Sequence, residues 1–370
     1  MYQLNLPINN LSFGQVSTSI LRELFESKRE VPSIFPIGGA LDFSSQPEDK
    51  PFFEWIFEVA KKTPQKYKAS TPVLKLWHLN GSIERLAKKQ ALLTFYELDS
   101  PTETEINIAR NQDAVLVTSE YTKAVFNSCG VDNIHVVPLG FDKANFSVKE
   151  KKYFTDERIV FNLPGKLEKR KFHKKVIQSW IKKFGGDSRF VLQCAVYNPF
   201  LIRQHGGQSV DFNKNAIDDV LQGKAPPFNV SFLPFMGKNS LYNDYLNSGN
   251  IVIGMGTEGW GLPEFSSVAL GKHAVILDVA GHKEWATKEN SCLVKTSSKI
   301  PCYDNMFFTQ GADFNQGNIF DFNEDEFIAS CEEAITRVRN SSVNSSGLKL
   351  QNEFSYKKTI EKIDKIMETI

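Results

Sequence analysis

The stretch DAVLVTSEYTKAVFNSCGVDNIHVVP, Asp113–Pro138, decides the fold class. Residues Ala114 to Thr118 are apolar and β-branched without alternation, the pattern of a strand buried on both faces. Ser119 suits a helix N-cap, Tyr121, Ala124, Val125 and Cys129 share one helical face, and Gly130 suits the helix end. Ile134 to Val137 then reads as a second strand. A strand, a helix and a strand in so short a space make a βαβ unit, and that unit requires a parallel sheet.

The same alternation runs outward in both directions. Downstream, Phe172, Val176, Ile177, Trp180, Ile181 and Phe184 lie on one helix face, and RFVLQCAV, VSFLPF, NIVIGMG and HAVILDV read as further strands. Between the two series the chain turns charged and loop-like over about residues 143–158, which marks a domain boundary. The expected architecture is α/β, with two Rossmann-like domains facing each other across a cleft: an N-terminal domain over 1–145 and a C-terminal domain over 155–345. Residues 350–370 form a final helix, capped by Ser355, with Tyr356, Ile360, Ile363, Met367 and Ile370 as its apolar stripe. Two irregular stretches, about 198–229 and 297–320, read as surface decoration.

Composition narrows the function. A net charge of +1 over 370 residues argues against a sequence-blind nucleic-acid binder, which needs a strongly basic surface. No apolar run approaches the ~20 residues of a membrane helix. The opening MYQLNLPINNLSFGQ lacks the charged and apolar regions of a signal peptide. Five scattered cysteines without a Cys-x-x-Cys pair fit reduced thiols, and together these features predict a cytoplasmic protein. No Asp-x-Asp occurs to hold a metal against a diphosphate.

Five segments fall at the carboxyl ends of strands, where open α/β sheets bind ligands. In EGWGLPEFSSVALGK (258–272), Gly259 and Gly261 let backbone approach a ligand, and Glu258 can accept hydrogen bonds from two vicinal hydroxyls. In LPGKLEKRKFHKK (163–175), Lys166, Lys169, Arg170, Lys171 and His173 crowd a helix N-terminus, where cations need an anion among them. NNLSFGQVSTSILREL (9–24) places Gly14 in a polar loop before a helix. LKLWHLNGS (74–82) leaves His78 at a strand end, and LLTFYELDSP (92–101) offers Tyr96, Glu97 and Asp99 at another.

These motifs resemble glycosyltransferase family 4, retaining enzymes with the two-domain GT-B fold. The resemblance rests on SEYTKAVFNSCGVDNIHVVPLGFD, ending in Pro138-x-Gly140-x-Asp142, on the Gly165-Lys166-x4-Lys171 loop, and on Glu258-Gly-Trp-Gly-Leu-Pro263. It implies a hexosyltransferase-type enzyme that moves a sugar from a nucleotide diphosphate, UDP- or GDP-linked, to an acceptor hydroxyl, with no metal or other cofactor. It implies that Lys166 and Lys171 hold the diphosphate, that Gly14 belongs to the loop over it, and that Glu258 binds sugar hydroxyls; Arg170 and Gln15, beside these positions, are further donor-binding candidates. The backbone of Gly259, Trp260, Gly261 and Leu262 would cradle the donor, and the final helix would cross back to the first domain.

Two positions depart from the family. Ser266 stands where a second glutamate usually grips the ribose, and Phe172 stands where a glycine usually follows the diphosphate lysine. The family's amino-terminal histidine at the reacting centre corresponds to His78 or to a group in the Tyr96, Glu97, Asp99 stretch. The acceptor is left open among a glycan, a lipid-linked sugar, a protein and a modified nucleic-acid base, as is peripheral association with a membrane. A non-catalytic nucleotide-sugar or glycan-binding protein on the same scaffold is the alternative. A dinucleotide enzyme is disfavoured, since no Gly-x-Gly-x-x-Gly follows the first strand.

Overall fold

The structure is a computed structural model that describes residues 1–150, 157–205 and 208–370. The expected boundary at 143–158 includes residues 151–156, which lie outside the described residues. The first sheet contains β1 (Gln3–Ile8), β2 (Ile34–Leu41), β3 (Val73–Leu76), β4 (Gln90–Leu93), β5 (Ala114–Val117) and β6 (Ile134–Val136), in the order β2-β1-β3-β4-β5-β6. Every neighbouring pair in it is parallel. Central strands are buried along their whole length, as β1 is, so its polar residues need internal partners. Gln3 finds them in Lys68 O (3.0 Å) and Thr71 O (2.9 Å), and Asn5 in Phe35 O (2.9 Å).

The second half repeats the plan. Strands β7 (Ile159–Pro164) and β8 (Phe190–Ala195) are followed by a small hairpin, β9 (Ile202–His205) with β10 (Gln208–Asp211). Then come β11 (Val230–Phe232), β12 (Ile251–Gly254), β13 (His273–Leu277) and β14 (Cys292–Val294). The sheet order is β11-β8-β7-β12-β13-β14, again all parallel. A second hairpin pairs β15 (Thr296–Pro301) with β16 (Asn318–Phe322).

The unit that opened the sequence reading folds as strand, helix Glu120–Ser128 and strand, with Ser119 accepting from Thr122 N at 3.2 Å. Its buried face is not quite the expected one: Ala124 is exposed, while Thr122 and Phe126 are buried. The cause is Tyr96, whose carbonyl accepts from Thr122 Oγ1 (2.7 Å) and whose ring meets Phe126 at 5.0 Å. All five cysteines are free thiols.

The Pro138-x-Gly140-x-Asp142 motif has a structural job. A side chain on Gly140 would lie 2.1 Å from Tyr356 N, so only glycine lets the returning chain dock there. Phe141 N donates to Phe354 O (2.9 Å), Thr359 Oγ1 donates to Pro138 O (2.8 Å), and Asp142 accepts from Ser19 Oγ (3.0 Å). The helix Tyr356–Met367 buries Tyr356, Ile360, Ile363 and Met367 in one apolar cluster with the helix Ser12–Glu26 and β1. Asp364 fixes it further, accepting from Tyr2 OH and pairing with Arg29.

The hairpin β15–β16 and its connecting loop correct the expectation of surface decoration over 297–320. They span the two halves. Asp99 pairs with Lys299 (2.8 Å) and accepts from Asn318 N (2.8 Å), Glu105 accepts from Asn315 N (3.0 Å), and Thr102 Oγ1 donates to Asp313 O (2.6 Å). Charged and amide-rich loops read as solvated in sequence, and here their polar groups find partners on the opposite domain.

Candidate functional site

Strand order locates the site. In the first sheet the chain moves out from β1 to β2 on one side and to β3 on the other; in the second it does so from β7 to β8 and to β12. Ligand crevices form at the carboxyl ends of strands at such switch points. The segments that follow β1, β3, β7 and β12 carry Gly14 (in the first turn of the helix Ser12–Glu26), His78, the 165–171 basic loop and Glu258. Four segments separated in sequence thus come from four strand ends that the topology places at the two switch points.

Glu258 is the hub. One carboxylate oxygen pairs with Lys171 Nζ and the other with Arg170 Nη1 at 2.9 Å. Arg170 also donates to Thr257 O (2.6 Å), contacts Glu168 at 3.3 Å, and reaches across to Glu97 of the first domain at 3.2 Å. Lys166 pairs with Glu168 at 2.9 Å and lies over the rings of Phe200 and Phe307. The counter-charge that the basic loop requires is therefore present within the chain, supplied by Glu97, Glu168 and Glu258. Glu168 escaped the sequence reading because a glutamate among lysines looks like a solvated charge pattern.

Burial makes these charges interdependent. It opposes ionisation of Glu258, but Arg170 and Lys171 outweigh it and hold the carboxyl well below the usual range. It also opposes the Lys171 charge, which Glu258 and then Glu264 restore, so Lys171 stays protonated well into alkaline pH. Glu264, in the helix Leu262–Ala269, has no ion pair among the described residues. Burial pushes its carboxyl up to about 7; Lys171 works against this and Glu258 adds to it. Among the described residues its Oε2 lacks a hydrogen-bond partner, as does Nε2 of the buried His282.

The Glu258–Leu262 loop is enclosed by the first domain. A side chain on Gly259 would approach Phe95 Cβ at 3.0 Å, and Gly259 O accepts from Thr118 Oγ1. Gly261 adopts φ +79°, with His282 Nε2 only 2.6 Å from where a side chain would begin. Trp260 turns into the core: its ring packs on Phe265 and Phe354, and its carbonyl accepts from Trp285 Nε1 at 2.9 Å. Leu262 begins the following helix, with Pro263 in its first turn, and Ser266 is buried in the same helix.

Other candidates separate. Gly14 lies inside the first turn of the helix Ser12–Glu26, not in the expected loop; its missing side chain admits Asn9, whose O would be 2.2 Å away. No side chain caps that helix. Gln15 is held in a network between the domains, donating to Ser45 Oγ (3.0 Å) and accepting from Gln46 (2.9 Å) and Asn239 (2.8 Å). His78 is exposed, with its ring 4.2 Å from that of Phe13. Crowding and then Lys166 lower its pKa, to an extent limited by solvent at the ring, so the imidazole is neutral at pH 7.

Lys169 turns to the β15–β16 hairpin, donating to Pro301 O (2.8 Å) and Tyr303 O (2.9 Å). His173 is buried against Pro164 O, its pKa pushed down to about 3 by burial and then Lys171. Phe172 adopts φ +54°, the conformation a glycine would take freely, and its ring packs on Phe322. In the LLTFYELDSP stretch, Tyr96 is buried with its hydroxyl on Glu105 (3.1 Å), and Asp99 belongs to the hairpin contact. Glu97 alone of the three faces the charged cluster.

Solved structures with the same fold follow from comparison of the whole chain. A sucrose-phosphate synthase from Thermosynechococcus elongatus superposes with a TM-score of 0.68 at 12% identity, covering 100% of this chain and 99% of its own. The Anabaena protein HepE, solved in complex with UDP and glucose, gives 0.65 at 12% identity and 100% coverage of both chains. An α,α-trehalose-phosphate synthase (UDP-forming) from Burkholderia vietnamiensis gives 0.62 at 10% identity, covering 100% of this chain and 98% of its own. No protein-family model and no curated protein matches the sequence. At such identities the likeness speaks for architecture: this chain has the GT-B fold, two Rossmann-like domains across a cleft.

Proposed function

We propose that the protein is a glycosyltransferase of the family 4 type, moving a hexose from a UDP- or GDP-linked donor to an acceptor hydroxyl with retention and without a metal. The observation that carries this is the meeting of Glu258 with Arg170 and Lys171 at the switch-point strand ends of a GT-B fold. A carboxylate able to accept two hydroxyls and cations able to accept a diphosphate lie within one ion-pair network. In the donor complex the diphosphate shares Lys171 and Arg170 with Glu258, whose remaining acceptor capacity takes sugar hydroxyls. Stabilising the leaving diphosphate is then the work of cations already in place. The leaving group itself accepts the acceptor's proton on the face it vacates, so no protein base is required. The uncapped helix Ser12–Glu26 adds positive potential from the first domain.

Two of the proteins that share the fold, the α,α-trehalose-phosphate synthase (UDP-forming) and HepE in complex with UDP and glucose, agree in donor class. One observation favours a non-catalytic sugar-nucleotide-binding protein instead: Ser266 cannot bridge two ribose hydroxyls as a carboxylate does. Incubation with UDP-, GDP-, ADP- and dTDP-sugars, with and without EDTA, separates these readings. Donor hydrolysis or transfer that survives EDTA is expected. Binding without turnover supports the second reading, and strict dependence on Mg²⁺ or Mn²⁺ refutes the metal-independent mechanism. No helix among the described residues is long and apolar enough to cross a membrane. The acceptor meets the protein from solution or at a membrane surface.

A further inference from the structure

The cluster is charge-balanced without a ligand. Lys166, Arg170 and Lys171 meet Glu97, Glu168 and Glu258 in one network. A nucleotide-sugar diphosphate is a diester with about two negative charges and no titration near neutral pH. Placed in a neutral, mostly buried network, it leaves uncompensated negative charge in a low dielectric, which is costly unless a carboxylate gives way.

Geometry selects which one. Glu168 is held by both Lys166 and Arg170, and Glu258 by both Arg170 and Lys171. Among the described residues Glu97 has one cationic partner, Arg170 at 3.2 Å, and Arg170 Nε is not aligned to donate to it. Glu97 also cannot easily retreat, because its segment is fixed on both sides. Tyr96 bonds to Glu105, Glu105 to Asn315 N, and Asp99 to Lys299 and Asn318. The groups facing Glu97 are the cations Arg170 and Lys171, the carboxylates Glu168 and Glu258, the phenols of Tyr96 and Tyr121, and the Cys302 thiol. Burial already raises its carboxyl above the usual range against the pull of Arg170.

Resting on the glycosyltransferase reading, we propose that Glu97 is a donor-binding residue that enters the complex as a neutral acid. The diphosphate displaces it from Arg170, Glu97 takes one proton from solvent, and its new O–H donates to a donor oxygen. The sign follows directly. The complex binds one more proton than the free protein, so donor affinity is greatest at low pH. It falls as pH rises through the window between the free and complexed Glu97 pKa values, by at most about tenfold per pH unit.

Calorimetric titration of the full chain with UDP-glucose, GDP-mannose, ADP-glucose and dTDP-glucose tests this at pH 7 in PIPES and in Tris, whose ionisation enthalpies differ. The wild type is expected to take up roughly half to one proton per donor bound. Because Glu264 is itself about half ionised at this pH, Glu97→Gln is expected to lose most of the uptake, and Glu264→Gln to keep the share that Glu97 takes. Binding without uptake in the wild type overturns the inference and needs no variant to show it. Uptake that is undiminished in Glu97→Gln, or that vanishes in Glu264→Gln, overturns it too. Failure of all four donors to bind overturns the donor-site reading itself, and the inference with it.

Discussion

The two sides of the cleft contribute chemistry in unlike ways. The carboxyl-terminal domain brings two loops in which neighbouring residues act together: Lys166, Glu168, Arg170 and Lys171 after β7, and Thr257 to Leu262 after β12. The amino-terminal domain brings single groups from separate strand ends, His78 after β3 and Glu97 after β4. Charge is concentrated on one side, while shape and enclosure come from the other, where Phe95 and Thr118 close over Gly259. A diphosphate with its sugar demands several charged contacts at fixed spacing, which a contiguous loop supplies well. An acceptor demands a surface, which scattered strand ends supply.

The sharpest way to break this comparison is Glu258→Gln. In the donor-free protein this change leaves Arg170 and Lys171 with a partner that carries no charge. Losing one member of a buried pair costs on the order of 3–5 kcal/mol. Thermal unfolding should reveal a less stable protein, restored in part by UDP, whose diphosphate replaces the missing charge. Nucleotide binding should be retained or tightened while transfer is largely lost, because an amide offers one acceptor oxygen where the carboxylate offers two. Wild-type transfer by this variant would reduce the loop to a strand–helix connection.

Lys171→Ala ranks next. Its Nζ touches Glu258 from directly beside the Gly165 turn. Losing a charge-assisted contact to the diphosphate should cost about 1.5–3 kcal/mol, or roughly 10- to 150-fold in donor affinity and kcat/KM. His78→Ala, on the opposite side, should cost less in donor affinity and show itself in acceptor KM. Equal losses of donor affinity from both variants would show that the two sides share the donor.

Glu264 offers a smaller, pH-dependent effect. Its folded pKa of about 7 lies above the ordinary glutamate value, so the native state binds more protons than the unfolded chain between about pH 4.5 and 7. Its contribution to stability is therefore full below the unfolded pKa and declines as pH rises through 7. Glu264→Gln should flatten that part of the pH–stability curve, measured by denaturant unfolding at several pH values. An unchanged slope would mean that Glu264 is ionised and paired in solution.

Much of this was legible in the sequence, for a physical reason. Buried parallel strands leave uninterrupted β-branched runs, and glycine and proline mark the loops that must turn sharply or approach closely, so both sheets could be expected from Asp113–Pro138 outward. Lys171 and Glu258 were legible because their loops are contiguous. Their mutual pairing was not, since 87 positions separate them and only the β7–β12 adjacency brings them together. Glu97 stood in the sequence as one of three polar residues at a strand end, and choosing it needed the side-chain directions of Tyr96 and Asp99. Gly14 was misplaced by a turn because a helix that starts without a capping side chain gives no sequence mark of its beginning. The hairpin β15–β16 was missed because partners on another domain leave no local pattern.

That hairpin supplies the smallest test, on a contact that joins the two sides without belonging to either loop. Asp99 is mostly buried, yet its partner Lys299 is more than half exposed, so solvent screens the pair. The backbone N–H of Asn318 is the better-shielded partner. Burial works against the Asp99 charge, but Lys299 and Asn318 together hold its pKa below the usual value. Its stabilisation is accordingly present above the unfolded aspartate pKa, near pH 4, and is lost as pH falls through the lower folded value. Asp99→Ala should cost about 1 kcal/mol, the worth of a partly screened pair with one backbone hydrogen bond. Because Glu105 and Thr102 still hold the hairpin, the two domains should stay joined, and small-angle scattering should show the same dimensions as the wild type. A large expansion would show that Asp99 alone ties the domains together. If so, the division between a charged side and an enclosing side depends on this one carboxylate, and Glu97, two residues away, would lose its place opposite Arg170.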